Sequence, residues 1–366
     1  MTLLRDVMAV LNRLAPLELA EEWDNVGLLL GRSDQPVQRV MTCLTITGTT
    51  VAEACQENAD LIVTHHPLFY RPVQRINDQN EEGRLALTLT RAGIAVYSAH
   101  TAYDNAPGGI NDQIAGLLQL ESVRPLRPAL AERQCKIVVF VPESDLARVS
   151  DALFAVGAGQ IGQYRECSFR LPGTGTFFGT EQTHPAIGQK GRREEVTEWR
   201  LEVICPERLV DEAIRALRAA HSYEEPAYDV YPLRPAQRPG GAGRIGRLPR
   251  ELTLQQLVEK VRQHWQYETV RYVGEPEQIV TRVAIGCGAG GSLLADALRA
   301  GAEVFVTGEM RFHDLLAAQA EGVSVVLLGH FSSERFAMET LAQCLAELFP
   351  QLTIWPSRRE RPIVRT

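Results

Sequence analysis

The chain has 366 residues, with 38 Lys and Arg against 45 Asp and Glu, for a formal charge of −7. A hydrophobic share of 45% with 23% charged residues excludes a disordered chain, and at about 150 residues per domain the length argues for two or three domains. The acidic balance weighs against a nucleic-acid partner, and no run approaches the ~20 apolar residues that a membrane-spanning helix needs.

MTLLRDVMAVLNRL spaces Leu3, Leu4, Val7, Met8, Leu11 and Leu14 at helical intervals, so it reads as an amphipathic helix of the fold rather than a signal peptide. From Arg39 to about Leu120, RVMTCLTI, ADLIVTHH and GIAVYSAH read as buried parallel strands. TTVAEACQEN, EEGRLALTLTRAG and GGINDQIAGLLQL read as the helices between and after them. Residues 130–235 follow a different plan. CKIVVFVPESDLARVSDALFAVG is a strand, turn and helix, and WRLEVICPERLVDEAIRALRAAH repeats it 64 residues later, aligning Pro142 with Pro206 and Leu153 with Leu217. With PAYDVYPL as a closing strand, this predicts a ferredoxin-like inserted domain. RPLRP and YPLRPAQRPGGAGRIG on either side read as Pro/Gly-rich connections.

After about Arg250 the first pattern returns. RVAIGCGAG, AEVFVTGE and VSVVLLGH read as strands, and GSLLADALRAG, FHDLLAAQAEG and SSERFAMETLAQCLAEL as helices. ADLIVTHH lies over AEVFVTGE, and GIAVYSAH over GVSVVLLGH. The expected fold is therefore a duplicated α/β main domain, 1–129 with 236–366, interrupted by the 130–235 insert, with a site at the strand C-termini. The seven scattered cysteines contain no Cys-x-x-Cys, which fits small buried hydrophobes in a reducing cytoplasm.

Chemistry-bearing residues gather at those strand ends. Thr64-His65-His66-Pro67 closes one strand. Neighbouring strand side chains point to opposite faces, so two histidines act together only where the backbone turns. One capping and one solvated histidine would be the bland alternative. His100-Thr-Ala-Tyr-Asp104 and His330-Phe-Ser-Ser-Glu334 stand at equivalent places in the two halves. On a helical turn, residues four apart share a face, so an imidazole and a carboxylate can converge. Such donors suit Zn, Fe, Mn or Ni, and a set with two carboxylates can hold two cations. Glu309 and His313 follow the strand equivalent to the one ending in His65-His66, as candidates for a supporting or proton-transfer role. GCGAGGSLLADAL could receive an anion at a helix N-terminus but lacks a phosphate-binding Lys-Ser/Thr. Arg32, Arg71 and Arg311 lie beside the motifs and could hold an anionic substrate. No Ser or Cys stands in a nucleophile-elbow context.

EEWDNVGLLLGR (21–32), LIVTHHPLFY (61–70), AHTAYDNAPGGIND (99–112) and TGEMRFHD…LLGHFSSER (307–335) resemble the signature blocks of the Nif-three-like family, whose bacterial members are usually labelled GTP cyclohydrolase 1 type 2 homologues. GAGQIGQYRECSFRLPGTGTFFG and HSYEEPAYDVYPL resemble the PII/CutA-like insert of its longer members. The resemblance implies a centre of two divalent metals held by His65, His66, Asp104, His330 and Glu334, with His100 beside it. It also implies a homohexamer built as a trimer of dimers. The leading expectation is metal-assisted hydrolysis of an unknown small molecule, with Glu309, His313 or His100 moving the proton. The expectation from another class is a metal-loaded adaptor or regulatory ring without turnover.

Overall fold

The computed structural model describes residues 1–266 and 269–362. The chain falls into two compact units, Leu130–Arg238 and the remainder, Met1–Ala129 with Pro239–Thr366.

The larger unit holds two sheets. In one, the parallel strands Arg39–Cys43, Leu61–Thr64 and Ala95–Ser98 lie side by side, with Gly27–Leu30 antiparallel at one edge and Thr353–Pro356 parallel at the other. In the other, Ile279–Gly286, Val304–Thr307 and Ser324–Leu327 form the matching parallel triplet. Arg271–Val273 flanks it on one side, and Gln237–Thr253 and Glu121–Leu130 on the other. Successive residues of each triplet serve different cores. Val40, Leu61, Val63, Ala95 and Tyr97 of the first sheet and Val283, Ile285, Val304, Val306 and Val326 of the second share one core, together with helices Leu4–Leu14, Ile110–Leu117, Leu254–Trp265 and His330–Leu348. Met41, Cys43, Ile62 and Val96 instead pack against helices Gly48–Gln56 and Glu81–Ala92, and Ala284 and Phe305 against Leu294–Arg299. Both faces are covered, which is why these strands read as unbroken apolar runs.

The smaller unit is a four-stranded sheet in the order Phe169–Phe178, Arg193–Pro206, Gln134–Val141, Tyr228–Pro232, with every pair antiparallel. Helices Leu146–Ala155 and Val210–Ala220 supply Leu153 and Leu217, the two residues aligned by the internal repeat, and both are fully buried with Ile137, Val139, Leu201 and Val203.

One expectation fails in part. RPLRP and the QRPGGAGRIG stretch of the second connection are not loose but lie within strands Glu121–Leu130 and Gln237–Thr253, whereas residues 233–236 lie outside any strand. Proline's fixed φ suits an extended backbone, and in Glu121–Leu130, an edge strand, a missing N–H is tolerated. In the loop after the His pair, Leu68 and Phe69 are buried within the chain and Tyr70 is exposed.

Arg244 ties the second sheet to the loop that follows helix His100–Asn105. It is 2% exposed, forks onto Asp112 at 2.5 and 2.9 Å, and donates to the carbonyls of Gly241, Gly243, Asn105 and Ala106. Removing a buried charge from such a cage leaves its acceptors unpaired. Arg244→Met is therefore expected to lose about 3–5 kcal/mol in denaturant unfolding. A midpoint within error of wild type would refute the role given to this residue.

Candidate metal centre

Each candidate ligand is placed by local backbone structure. His65 and His66 follow strand Leu61–Thr64, and their N–H groups donate to the carbonyls of Cys43 (3.0 Å) and Leu44 (2.8 Å), extending the ladder just far enough to fix both rings. Asp104 sits on the short helix His100–Asn105. His330 and Glu334 lie one turn apart at the start of helix His330–Leu348, after Gly329 at φ +78°.

Five of these side chains converge. Glu334 Oε2 lies 3.1 Å from His66 Nε2 and 3.2 Å from His330 Nε2, and its Oε1 lies 3.7 Å from His65 Nε2. Asp104 Oδ1 is 3.6 Å from the same His65 nitrogen, and the His66 and His330 Nε2 atoms are 3.3 Å apart. Three three-residue groups among the described residues have donor atoms close enough to hold an ion: His65–Asp104–Glu334, His66–His330–Glu334 and His65–His66–His100.

The chemistry fits a cation. Metal–ligand bonds near 2.1 Å put neighbouring donors about 3.0–3.4 Å apart, close to the separations here. His65 is fully buried with neither ring nitrogen hydrogen-bonded, a costly state for an imidazole unless an ion takes its Nε2 lone pair. The other histidines each carry an outer partner on Nδ1: Thr45 Oγ1 on His66 (2.8 Å), Glu309 Oε1 on His330 (3.0 Å) and Asp24 Oδ1 on His100 (2.7 Å). Such partners orient a metal-binding imidazole and leave Nε2 free.

Electrostatics agree. Burial favours the neutral acid at Glu334, but His65, His330 and His66 outweigh it and hold the carboxyl well below its ordinary range. Burial raises Asp104. Burial alone would push His65 down, yet Asp104 and Glu334 leave it raised, while burial prevails at His66 and lowers it. The Glu334 hydrogen bond pushes His330 up to about 9.

Two expectations need correction. His100 and Asp104 do not join one group: His100 turns to Asp24, His65 and His66, while Asp104 faces His65 and Glu334. His313 is exposed on helix Phe312–Ala320 and belongs to none of the groups, whereas Glu309, just before that helix, reaches His330. Arg32 pairs with Asp34 (2.8 Å) on the surface, and Arg71 and Arg311 are exposed. The Gly-rich GCGAGG turn runs from strand Ile279–Gly286 into helix Leu294–Arg299, as its sequence suggests, and it also lines the centre. Cys287 Sγ lies 3.1 Å from Asp104 Oδ1, and a Cβ on Gly288 (φ +57°) would stand 2.2 Å from Glu334 Oε1.

Several supporting residues escaped the sequence reading: Asp24, Thr45, Cys287 and Glu360. Glu360 is buried near the C-terminus, accepts from the N–H groups of Leu44 (2.9 Å) and Thr45 (2.8 Å), and pairs with Arg335 (2.8 Å). It thereby fixes the residue that holds His66. Asp24 and Cys287 had a signal, since they lie in the EEWDNVGLLLGR and GCGAGGSLLADAL stretches. Thr45→Val keeps shape but removes the hydroxyl from His66 Nδ1. It is expected to weaken metal binding about 10–100-fold in chelator competition, with the circular dichroism unchanged. Equal affinity would show that Thr45 does not orient the ring.

The Duf34/NIF3 (NGG1p interacting factor 3) family model matches residues 2–362. A Halalkalibacterium halodurans protein named GTP cyclohydrolase 1 type 2 homolog is 39% identical over 324 residues, 88% of this chain and 87% of the relative. A Bacillus subtilis protein of the same name is 35% identical, covering 90% and 88%. Among solved structures, a Bacillus cereus protein related to NIF3 is 35% identical with a TM-score of 0.67, covering 100% and 99% of the two chains. Staphylococcus aureus SA1388 gives 26% and 0.73 over the same shares. The chain belongs to the Duf34/NIF3 family.

Proposed function

We propose that this protein is a dinuclear metal-dependent hydrolase of a small molecule, of the kind named by its relatives' label, GTP cyclohydrolase 1 type 2 homolog. The observation that carries this reading is the division of Glu334 between two donor groups, Oε1 towards His65 and Oε2 towards His66 and His330. A carboxylate split in this way suits two divalent cations, and the imidazole–carboxylate set suits Zn, Fe or Mn. His65, Asp104 and Glu334 would hold one, and His66, His330 and Glu334 the other. Cations bound there supply Lewis acidity and lower the pKa of water towards neutrality.

The chain's own residues shape the rest. His65 and Glu334 close the inner side, at 0% and 4% side-chain exposure, while His330, at 35%, leaves an open approach. Glu309, exposed and bonded to His330 Nδ1, is placed to accept and return a proton at that edge. His100, held by Asp24, faces the other donors as the second candidate for proton transfer. Arg71, exposed next to Tyr70, is the candidate for an anionic substituent. Protein reconstituted with Mn, Zn, Fe or Co is expected to hydrolyse a member of a phosphorylated and heterocyclic panel. His330→Ala is expected to lose bound metal and turnover with little change in unfolding midpoint. Metal retained without turnover on the whole panel would favour the adaptor reading over the enzyme, and unchanged metal content in His330→Ala would remove the C-terminal half from the site.

The same reading takes Leu130–Arg238 as a ferredoxin-like, PII/CutA-like inserted domain, supported by its four-strand order and two helices. It also takes the protein to be a cytoplasmic homohexamer, a trimer of dimers. All seven cysteines are free, in keeping with a reducing compartment. Phe312 and Leu316, 68% and 46% exposed one helical turn apart, offer an apolar contact for another subunit. Light scattering at micromolar concentration is expected to give six chain masses, and a stable single-chain mass would overturn the ring.

A further inference from the structure

Beside the donor groups stands an aromatic surface that metal binding does not use. Trp23 is 55% exposed and Tyr70 is 53% exposed, with ring centroids 5.7 Å apart and planes tilted by 46°. The Trp23 ring meets His100 edge-on at 6.0 Å, and the His100 ring lies 5.1 Å from His65 and 5.6 Å from His66. The aromatic surface therefore begins where the metal-binding histidines end.

Loops that carry half-exposed rings are ordinarily free to move, but these two are pinned. Asp24, next to Trp23, has a fully buried side chain that holds His100 Nδ1, the Thr101 N–H (3.1 Å) and the Thr101 hydroxyl. Asn25 Nδ2 donates to the Phe69 carbonyl at 2.6 Å and joins the Trp23 loop to the Tyr70 loop. Leu68 and Phe69 anchor the second loop in the core. Two large rings are thus left half in water on rigid backbones, where folding gains little from them. Preorganised exposed aromatics of this kind gain most from stacking on a planar ring.

We infer that Trp23 and Tyr70 form a stacking platform for a planar heteroaromatic ring, so that the substrate of the metal centre carries such a ring next to the bond it presents to His66, His100 and His330. This deepens the hydrolase reading and rests on it. The alternative occupant, a second copy of this chain, is separated by the test.

The test uses the full-length, metal-loaded protein in isothermal titration calorimetry with two probes, adenosine 5′-monophosphate and ribose 5-phosphate. They share the sugar phosphate and differ in the heteroaromatic ring. Wild type is expected to bind the nucleotide more tightly than the sugar phosphate. Trp23→Leu is expected to weaken the nucleotide by about fivefold or more and to leave the sugar phosphate unchanged, and Trp23→Tyr to restore most of the loss. Metal content and mass by light scattering are measured on every variant. Equal weakening of both probes, no nucleotide binding by wild type, or a change of mass in Trp23→Leu would each overturn the platform, the last by assigning Trp23 to a subunit contact. Turnover is read separately. Ring-selective binding without hydrolysis would keep the platform and sink the hydrolase, whereas hydrolysis indifferent to Trp23 would sink the platform alone.

Discussion

Glu334 is a carboxylate buried among three imidazoles, and much of the larger unit exists to make that burial tolerable. An ionised carboxylate taken out of water must find charge or donors close by, or it takes up a proton. Here the histidines hold it ionised, although burial works the other way. Those histidines come from both halves of the chain, His65 and His66 after strand Leu61–Thr64 and His330 after strand Ser324–Leu327 of the second sheet. The shared core beneath them, to which helix His330–Leu348 contributes with both sheets, is what brings the His65 and His66 rings within 4 Å of the Glu334 carboxylate. A cation at this point would replace protons as the partner of a donor set that the fold has already assembled and desolvated.

Around that centre the structure repeatedly anchors loops with buried charges. Arg244 collects Asp112 and four carbonyls just beyond the helix that carries Asp104. Glu360 takes two backbone N–H groups at residues 44 and 45, and Glu53 holds the neighbouring tail through Ser357, Arg358 and Arg359. Asp24 does the same for His100 and Thr101. Glu360 and Asp24 bond a residue that orients a ligand or a histidine of the centre, Arg244 bonds the backbone next to Asp104, and Glu53 holds the tail that carries Glu360. Rigid supports of this kind keep donor positions within the few tenths of an ångström that coordination demands.

What the sequence made legible was local. The unbroken Val/Ile/Leu runs marked strands covered on both faces, and the His pair and the two His-x-x-x-acid spacings marked where those strands end. The internal 64-residue repeat gave the strand–helix plan of the smaller unit, down to Leu153 and Leu217 in its core. What stayed hidden was long-range or depended on a change of context. Glu360 meets Thr45 across 315 residues, and Asp24 meets His100 across 76. No spacing rule connects such positions. Proline and glycine near residues 124–130 and 237–246 suggested linkers because the chemistry that interrupts a helix is tolerated in a strand at a sheet margin. His313 seemed a proton carrier from its nearness in sequence to Glu309, but the intervening helix start exposes it while Glu309 turns to His330.

One carboxylate, Glu334, is proposed to join two metal positions. Anomalous diffraction from crystals of protein loaded with Mn or Zn, collected across the metal edge for wild type and Glu334→Gln, tests it most directly. The account predicts two peaks per chain in wild type, one beside His65 and Asp104 and one beside His66 and His330, with both weakened in Glu334→Gln. A single peak in wild type, or two peaks that persist undiminished without the Glu334 charge, would contradict it.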